Sequence, residues 1–130
     1  MEREILIQEE YLDSPWKIMV CCILLNQTNN KQVRPILSSV FDLIPDPIST
    51  IGCDPLDLAA VIKCTGFQNI KAKRIIQLSQ KWISGFTDVN DLPGIGVYGR
   101  ESWEIFVNNN ISITPTDKKL ARYISDVTGC

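Results

Sequence analysis

Three features of this 130-residue chain have residue types and spacings suited to chemistry. The first is the run Leu92-Pro93-Gly94-Ile95-Gly96, two glycines two apart just ahead of an amphipathic segment at 97–107. Such a turn exposes backbone N–H groups at the start of a helix, with the positive end of the dipole behind them and no side chain to keep a phosphate away. A plain helix-helix turn uses the same residues, so the motif alone leaves both readings open. The second is a charge pattern: residues 58–87 contain no acid, while Lys63, Lys71, Lys73, Arg74 and Lys81 contribute five positive charges. Acids gather at 1–13 and 42–57, so the net charge of -2 conceals a segregated chain that can present one basic face, as an ordinary solvated helix face also would. The third is Asp117, followed by Lys118-Lys119-Leu120, which suits either a helix cap or a carboxylate that stabilises positive charge.

Other chemistries are excluded by composition. Histidine is absent, which removes Ser-His and Cys-His nucleophiles and most catalytic metal sites. The five cysteines are odd in number and contain no C-x-x-C pair, so the expectation is reduced thiols in an intracellular setting, without a disulfide framework or zinc. Met1-Glu2-Arg3-Glu4 is acidic and polar where a secretory signal carries a basic and then an apolar stretch. The longest apolar runs fall short of the roughly 20 residues that a membrane span requires. The length suits one domain and one core.

The elements that must position these residues read as helices. Apolar residues recur at helical spacing, without sustained strand-like alternation, which predicts an all-α fold. Asp13-Ser14-Pro15 opens a helix to about Asn26, apolar almost all round and therefore the buried central one. Thr28 or Asn29 caps a second helix running to about Leu43 with Pro35 in its first turns, and Pro45-Asp46-Pro47 breaks the chain. Asp54-Pro55 opens another helix, closed by Gly66, and 70–84 forms a basic amphipathic helix ended by Gly85.

With Thr114-Pro115-Thr116-Asp117 following the glycine turn, these residues resemble the helix-hairpin-helix and aspartate signature of the DNA glycosylase superfamily that includes endonuclease III. Within it the resemblance is nearest to the thymine/uracil mismatch glycosylase domain of the methyl-CpG-binding repair protein. The matching blocks are Gln8-Glu9 with Pro15-Trp16-Lys17; Leu25-Asn26-Gln27-Thr28; Gly66-Phe67 with Lys71-Ala72-Lys73; and Gly94-Ile95-Gly96-Val97-Tyr98-Gly99 through Ser102, Ile105-Phe106 and Pro115 to Leu120.

The resemblance implies a helix-hairpin-helix fold with a cleft between two helical lobes, acting as a monomer on double-stranded DNA that carries a mismatched or damaged base. It implies that Asp117 stabilises an oxocarbenium-like sugar and activates water, much as carboxylates do in glycoside hydrolysis. Bifunctional relatives carry a Schiff-base lysine where this chain has Tyr98, which implies hydrolysis without a strand nick; Lys118 and Lys119 leave a weak lyase activity open. Tyr98 and Gln8 would form the base pocket, Gln8 pairing with the edge of a flipped thymine or uracil. Gln27 and Phe67 would fill the vacated stack, where the nearest relative has arginine and the family a leucine. Gly94 and Gly96 would hold a phosphate, with Lys71, Lys73, Arg100 and Lys118 on the DNA backbone. Iron-sulfur members have four cysteines after the aspartate; here only Cys130 follows it, so no cofactor is expected. The rival readings are a glycosylase for another damaged pyrimidine and a non-catalytic helix-hairpin-helix DNA-binding module.

Overall fold

Ser14 and Pro15 start the first long helix as the sequence predicts. In the computed structural model, which describes residues 4–129, the Ser14 hydroxyl accepts from the Lys17 amide at 3.4 Å and Pro15 occupies the first turn, where its missing N–H costs nothing. The readings placed on Met1, Glu2, Arg3 and Cys130 lie outside the described residues. Helix α1 (Pro15–Leu25) follows a 3-10 turn (Ile7–Tyr11) and buries Trp16 and every residue from Ile18 to Leu24. Each large apolar side chain buried in this way contributes about 1.5–3 kcal/mol, so α1 is the expected central helix.

The single helix expected up to Leu43 is instead three pieces. Asn29 caps α2 (Asn30–Val33) by accepting from Gln32 N at 3.2 Å, a 3-10 turn (Arg34–Ile36) follows, and α3 (Leu37–Leu43) completes the run. Pro35 is the physical reason: it has no N–H for the α-helical ladder, and its ring crowds the carbonyl four residues back. Pro45-Asp46-Pro47, read as a break, starts a further helix, α4 (Pro47–Ile51), with the Asp46 carboxylate accepting from Ser49 N at 2.7 Å. Asp54 caps α5 (Pro55–Val61) on Leu56 N at 2.9 Å; a 3-10 turn (Lys63–Thr65) and Gly66, at φ +77°, end that segment.

Helix α6 (Gln68–Ser84) begins two residues before the expected start and ends at Gly85. Its buried residues Lys71, Ala72, Ile75, Leu78 and Ser79 recur at helical spacing and form one inward stripe. The Trp16 indole donates to Ser79 Oγ at 3.0 Å, and that hydroxyl donates to Ile75 O at 2.8 Å, tying α1 to α6. Helices α4 and α5 pack on α6, while α1 also meets the Ile7–Tyr11 turn and α7 (Gly96–Ser102). Helix α7 continues into a π turn (Trp103–Val107), closed by Asn108 N donating to Trp103 O at 3.0 Å. Trp103 packs edge-on to Trp82 and Phe86 of the α6 end at 6.0 and 5.8 Å. Phe106 meets Tyr123 at 4.9 Å and so holds α8 (Lys118–Thr128). No strand occurs among the described residues, and no helix is long and apolar enough to cross a membrane.

Candidate active site

A cleft of about 800 Å³ opens where the end of α1, the loop at 26–30, the turn at 94–98 and the start of α8 converge. The turn takes its shape from close contacts. Gly94 sits at φ +80°, and a Cβ there would meet the Arg74 side chain at 3.0 to 3.1 Å; Gly96, at φ +62°, begins α7. Ile95 plugs inward, and a Cβ on Gly99 would lie 2.6 Å from its own Cβ, so both the turn and the helix behind it depend on glycine.

Of the residues singled out in the sequence, Gln27, Gly94, Gly96, Tyr98, Asp117 and Lys118 line this cleft together. Asp117 is also the cap of α8, one carboxylate oxygen accepting from Leu120 N at 2.9 Å, so the cap reading and the cleft position coexist in one side chain. The loop leading to it is held from α7 and the π turn. The Glu101 carboxylate accepts from Thr116 N at 2.8 Å and from Thr116 Oγ1 at 3.2 Å, and Glu104 accepts from Asn108 Nδ2 and Asn110 Nδ2, both at 3.0 Å. Lys119 lines the cleft as well and pairs with Glu4 at 3.0 Å; Glu4 also accepts from Asn30 Nδ2 at 2.8 Å.

Tyr98 has a buried polar partner. Gln8 Nε2 donates to the Tyr98 hydroxyl at 2.6 Å and to Ser102 Oγ at 3.1 Å. Burial above all, then the neighbouring Cys22 and Asp117, push the phenol above its ordinary pKa despite the opposing Gln8 bond, so Tyr98 stays protonated. Since its oxygen accepts from Gln8, its own proton is available to another acceptor. Cys22, on the floor beside it, is pushed up to about 12 by burial, partly offset by a bond to Ser102, and remains a thiol.

Two expectations are revised. Lys71 does not face DNA: it is 1% exposed, and Nζ donates to Leu24 O and Thr65 O at 2.8 Å each. It belongs to the inward stripe of α6, and burial lowers its pKa. Arg74, one turn on from the turn of Lys71, is the α6 cation that reaches the cleft. Gln8, expected to pair with a base directly, is 1% exposed and stands behind Tyr98, because the Ile7–Tyr11 turn directs it into the core. Phe67, Lys73 and Arg100 are exposed and outside the cleft wall; Phe67, 55% exposed, sits at the left-handed turn before α6. Among the described residues no group of three or more His, Cys, Asp or Glu side chains could hold a metal.

Residues 20–130 match the family described as HhH-GPD superfamily base excision DNA repair protein. The chain belongs to that superfamily. Two similar proteins narrow the comparison for this HhH-GPD chain. One is the methyl-CpG-binding domain protein 4-like protein of Arabidopsis thaliana, 32% identical over 120 residues, covering 91% of this chain and 27% of that protein. The other is the thymine/uracil-DNA glycosylase of Pyrobaculum aerophilum, 26% identical over 92 residues, 65% of this chain and 40% of that protein. The HhH-GPD chain thus spans well under half the length of either relative.

Glu101, Glu104 and Ser102 were missed in the sequence. Ser102 stands one helical turn after Tyr98 and Asn108 one turn after Glu104, spacings that could have paired them; Glu101 carries no such signal, because its partner Thr116 lies fifteen residues on in a loop without periodicity.

Proposed function

We propose that these 130 residues form one monofunctional DNA glycosylase domain that removes thymine or uracil from mismatches with guanine, acting as a monomer and starting base excision repair. What supports this reading is a single arrangement: Asp117, Tyr98 and the Gly94–Gly96 amides border one cleft, a carboxylate, a protonated phenol and a phosphate seat within reach of one nucleotide. The sugar that loses its base gains positive charge. Asp117 stabilises that charge and orients water against C1′; at about 4 Å and an effective dielectric near 20 its contribution is about 4 kcal/mol, close to a thousandfold in rate.

Tyr98 donates its hydroxyl proton to a carbonyl oxygen of the everted pyrimidine, and Gln8, from behind, fixes the direction of that proton. Gln27 and Phe67 occupy the space the base leaves, Gln27 bonding to the orphaned guanine. Lys118, Arg100, Lys73 and Arg74 bind the phosphate backbone. The thymine/uracil specificity named for the relative from Pyrobaculum aerophilum agrees with a pocket whose polar groups suit carbonyl oxygens.

The test is alkali cleavage of duplexes that each carry one mispair or lesion. The expected result is abasic product from G:T and G:U, about a thousandfold slower in Asp117→Asn with duplex binding retained; full activity in that variant removes Asp117 from the mechanism. Product mainly from oxidised pyrimidines would reassign the substrate. Salt-sensitive binding with no product on any duplex would make the chain a binding module. Borohydride should trap no protein-DNA adduct, since residue 98 is not an amine.

A further inference from the structure

Three non-glycine residues among those described hold left-handed backbone conformations: Asn109 at φ +56°, Gln27 at φ +56° in the cleft wall and Phe67 at φ +50° outside it. Such conformations persist only where the surroundings impose them. Gln27 and Phe67 are both exposed, and they belong to loops about forty residues apart in sequence, after α1 and before α6.

One buried side chain reaches both loops. Lys71 Nζ donates to Leu24 O, three residues before Gln27, and to Thr65 O, two residues before Phe67, each at 2.8 Å. Leu24 O lies in the last turn of α1, where helical carbonyls lose their partners and the dipole is negative, a natural seat for an ammonium. Thr65 O ends the 3-10 turn before Gly66. Lysine offers only donors, so the direction of both bonds is fixed by chemistry. A further link joins the segment before Gly66 to α2, which follows the Gln27 loop: the Cys64 thiol donates to Gln32 O at 3.5 Å.

We infer that Lys71 is a positioning residue that clamps the two loops to one nitrogen and so fixes Gln27 and Phe67 as a matched pair for opening the base stack. The inference rests on the proposed role of those two residues. The clamp sets the spacing of the tips before DNA arrives, so that neither loop is ordered at the expense of binding. Lys71 itself touches neither base nor phosphate.

The test uses the whole chain and a duplex carrying 2′-fluoro-2′-deoxyuridine opposite guanine, whose electron-poor sugar resists base loss, with 2-aminopurine beside it to report opening of the stack. Lys71→Met is expected to lower the fluorescence gain at saturating protein about tenfold and to speed amide exchange in both 25–29 and 65–68, while Lys71→Arg restores much of each. Unchanged exchange, or faster exchange in one loop alone, overturns the clamp. Loosening of both loops with the full fluorescence gain retained overturns the assigned purpose through the reading beneath it, since Gln27 and Phe67 then do not open the stack. Should Lys71→Met not fold, the wild-type chain decides: nitrogen-15 spectra of its lysines must contain one ammonium shielded from water and coupled to the Leu24 and Thr65 carbonyls. Absence of that signal overturns the inference.

Discussion

The two sides of the cleft are held by opposite chemistry. On the Asp117 side, Glu101 and Glu104 extend from α7 and the π turn to grip Thr116, Asn108 and Asn110, mostly in the open. On the Gln27 side, a lysine ammonium enters the core to grip Leu24 and Thr65. Exposed hydrogen bonds compete with water and contribute well under 1 kcal/mol each, whereas buried carbonyls have no such alternative and cost about 1–3 kcal/mol each when abandoned. The Asp117 side can therefore adjust locally, while the Gln27 side is set together with the fold.

Alkali acts with opposite sign on the buried Cys22 and Tyr98 and on Lys71. The folded chain keeps the Cys22 proton to about 12 where an ordinary thiol releases it near 9.0, so stability falls as pH rises from about 9 to 12. Tyr98, also raised, acts in the same direction above its ordinary 10.0. Lys71 is lowered, so the folded chain releases that proton before the unfolded chain does, and stability gains as pH rises toward the ordinary 10.5. Denaturant unfolding between pH 8 and 12 should show a net alkaline loss, smaller by about 4 kcal/mol in Cys22→Ala at the upper end; parallel curves for the two proteins would refute it.

A more direct break is Lys71→Met at neutral pH. It leaves two buried carbonyls unpaired and should lower urea stability by about 2–5 kcal/mol. A loss below about 1 kcal/mol would make the two sides alike. The smallest change in stability belongs to Glu101→Ala, under about 1 kcal/mol, because its bonds are exposed. If Asp117 acts as proposed, the effect on base release should be larger, roughly tenfold slower, since a loosened Thr116 no longer holds Asp117 in place. Equal stability losses in the two variants would erase the contrast.

The same contrast separates what the sequence revealed from what it hid. Helix α1, the glycine turn and Asp117 were legible because caps, prolines and glycines act locally, through one or two neighbours. Asp46-Pro47 carries the same start signal as Asp54-Pro55, yet it reads as a break because another proline precedes it. Lys71 was misplaced by counting its charge without its phase: spacing from Ala72, Ile75, Leu78 and Ser79 puts it on the inward face. The grip of Glu101 on Thr116, and the inward turn of Gln8 toward Tyr98 and Ser102, depend on tertiary contacts that no local pattern encodes, whereas Glu104 and Asn108 stand at a helical spacing that was there to be read.

The missing side chain at Gly99 has a wider consequence. Because Ile95 fills the place a Cβ would take, the loop ahead of α7 is moulded by its own helix. A phosphate seated there would meet a finished socket, and little ordering of the loop would oppose its binding.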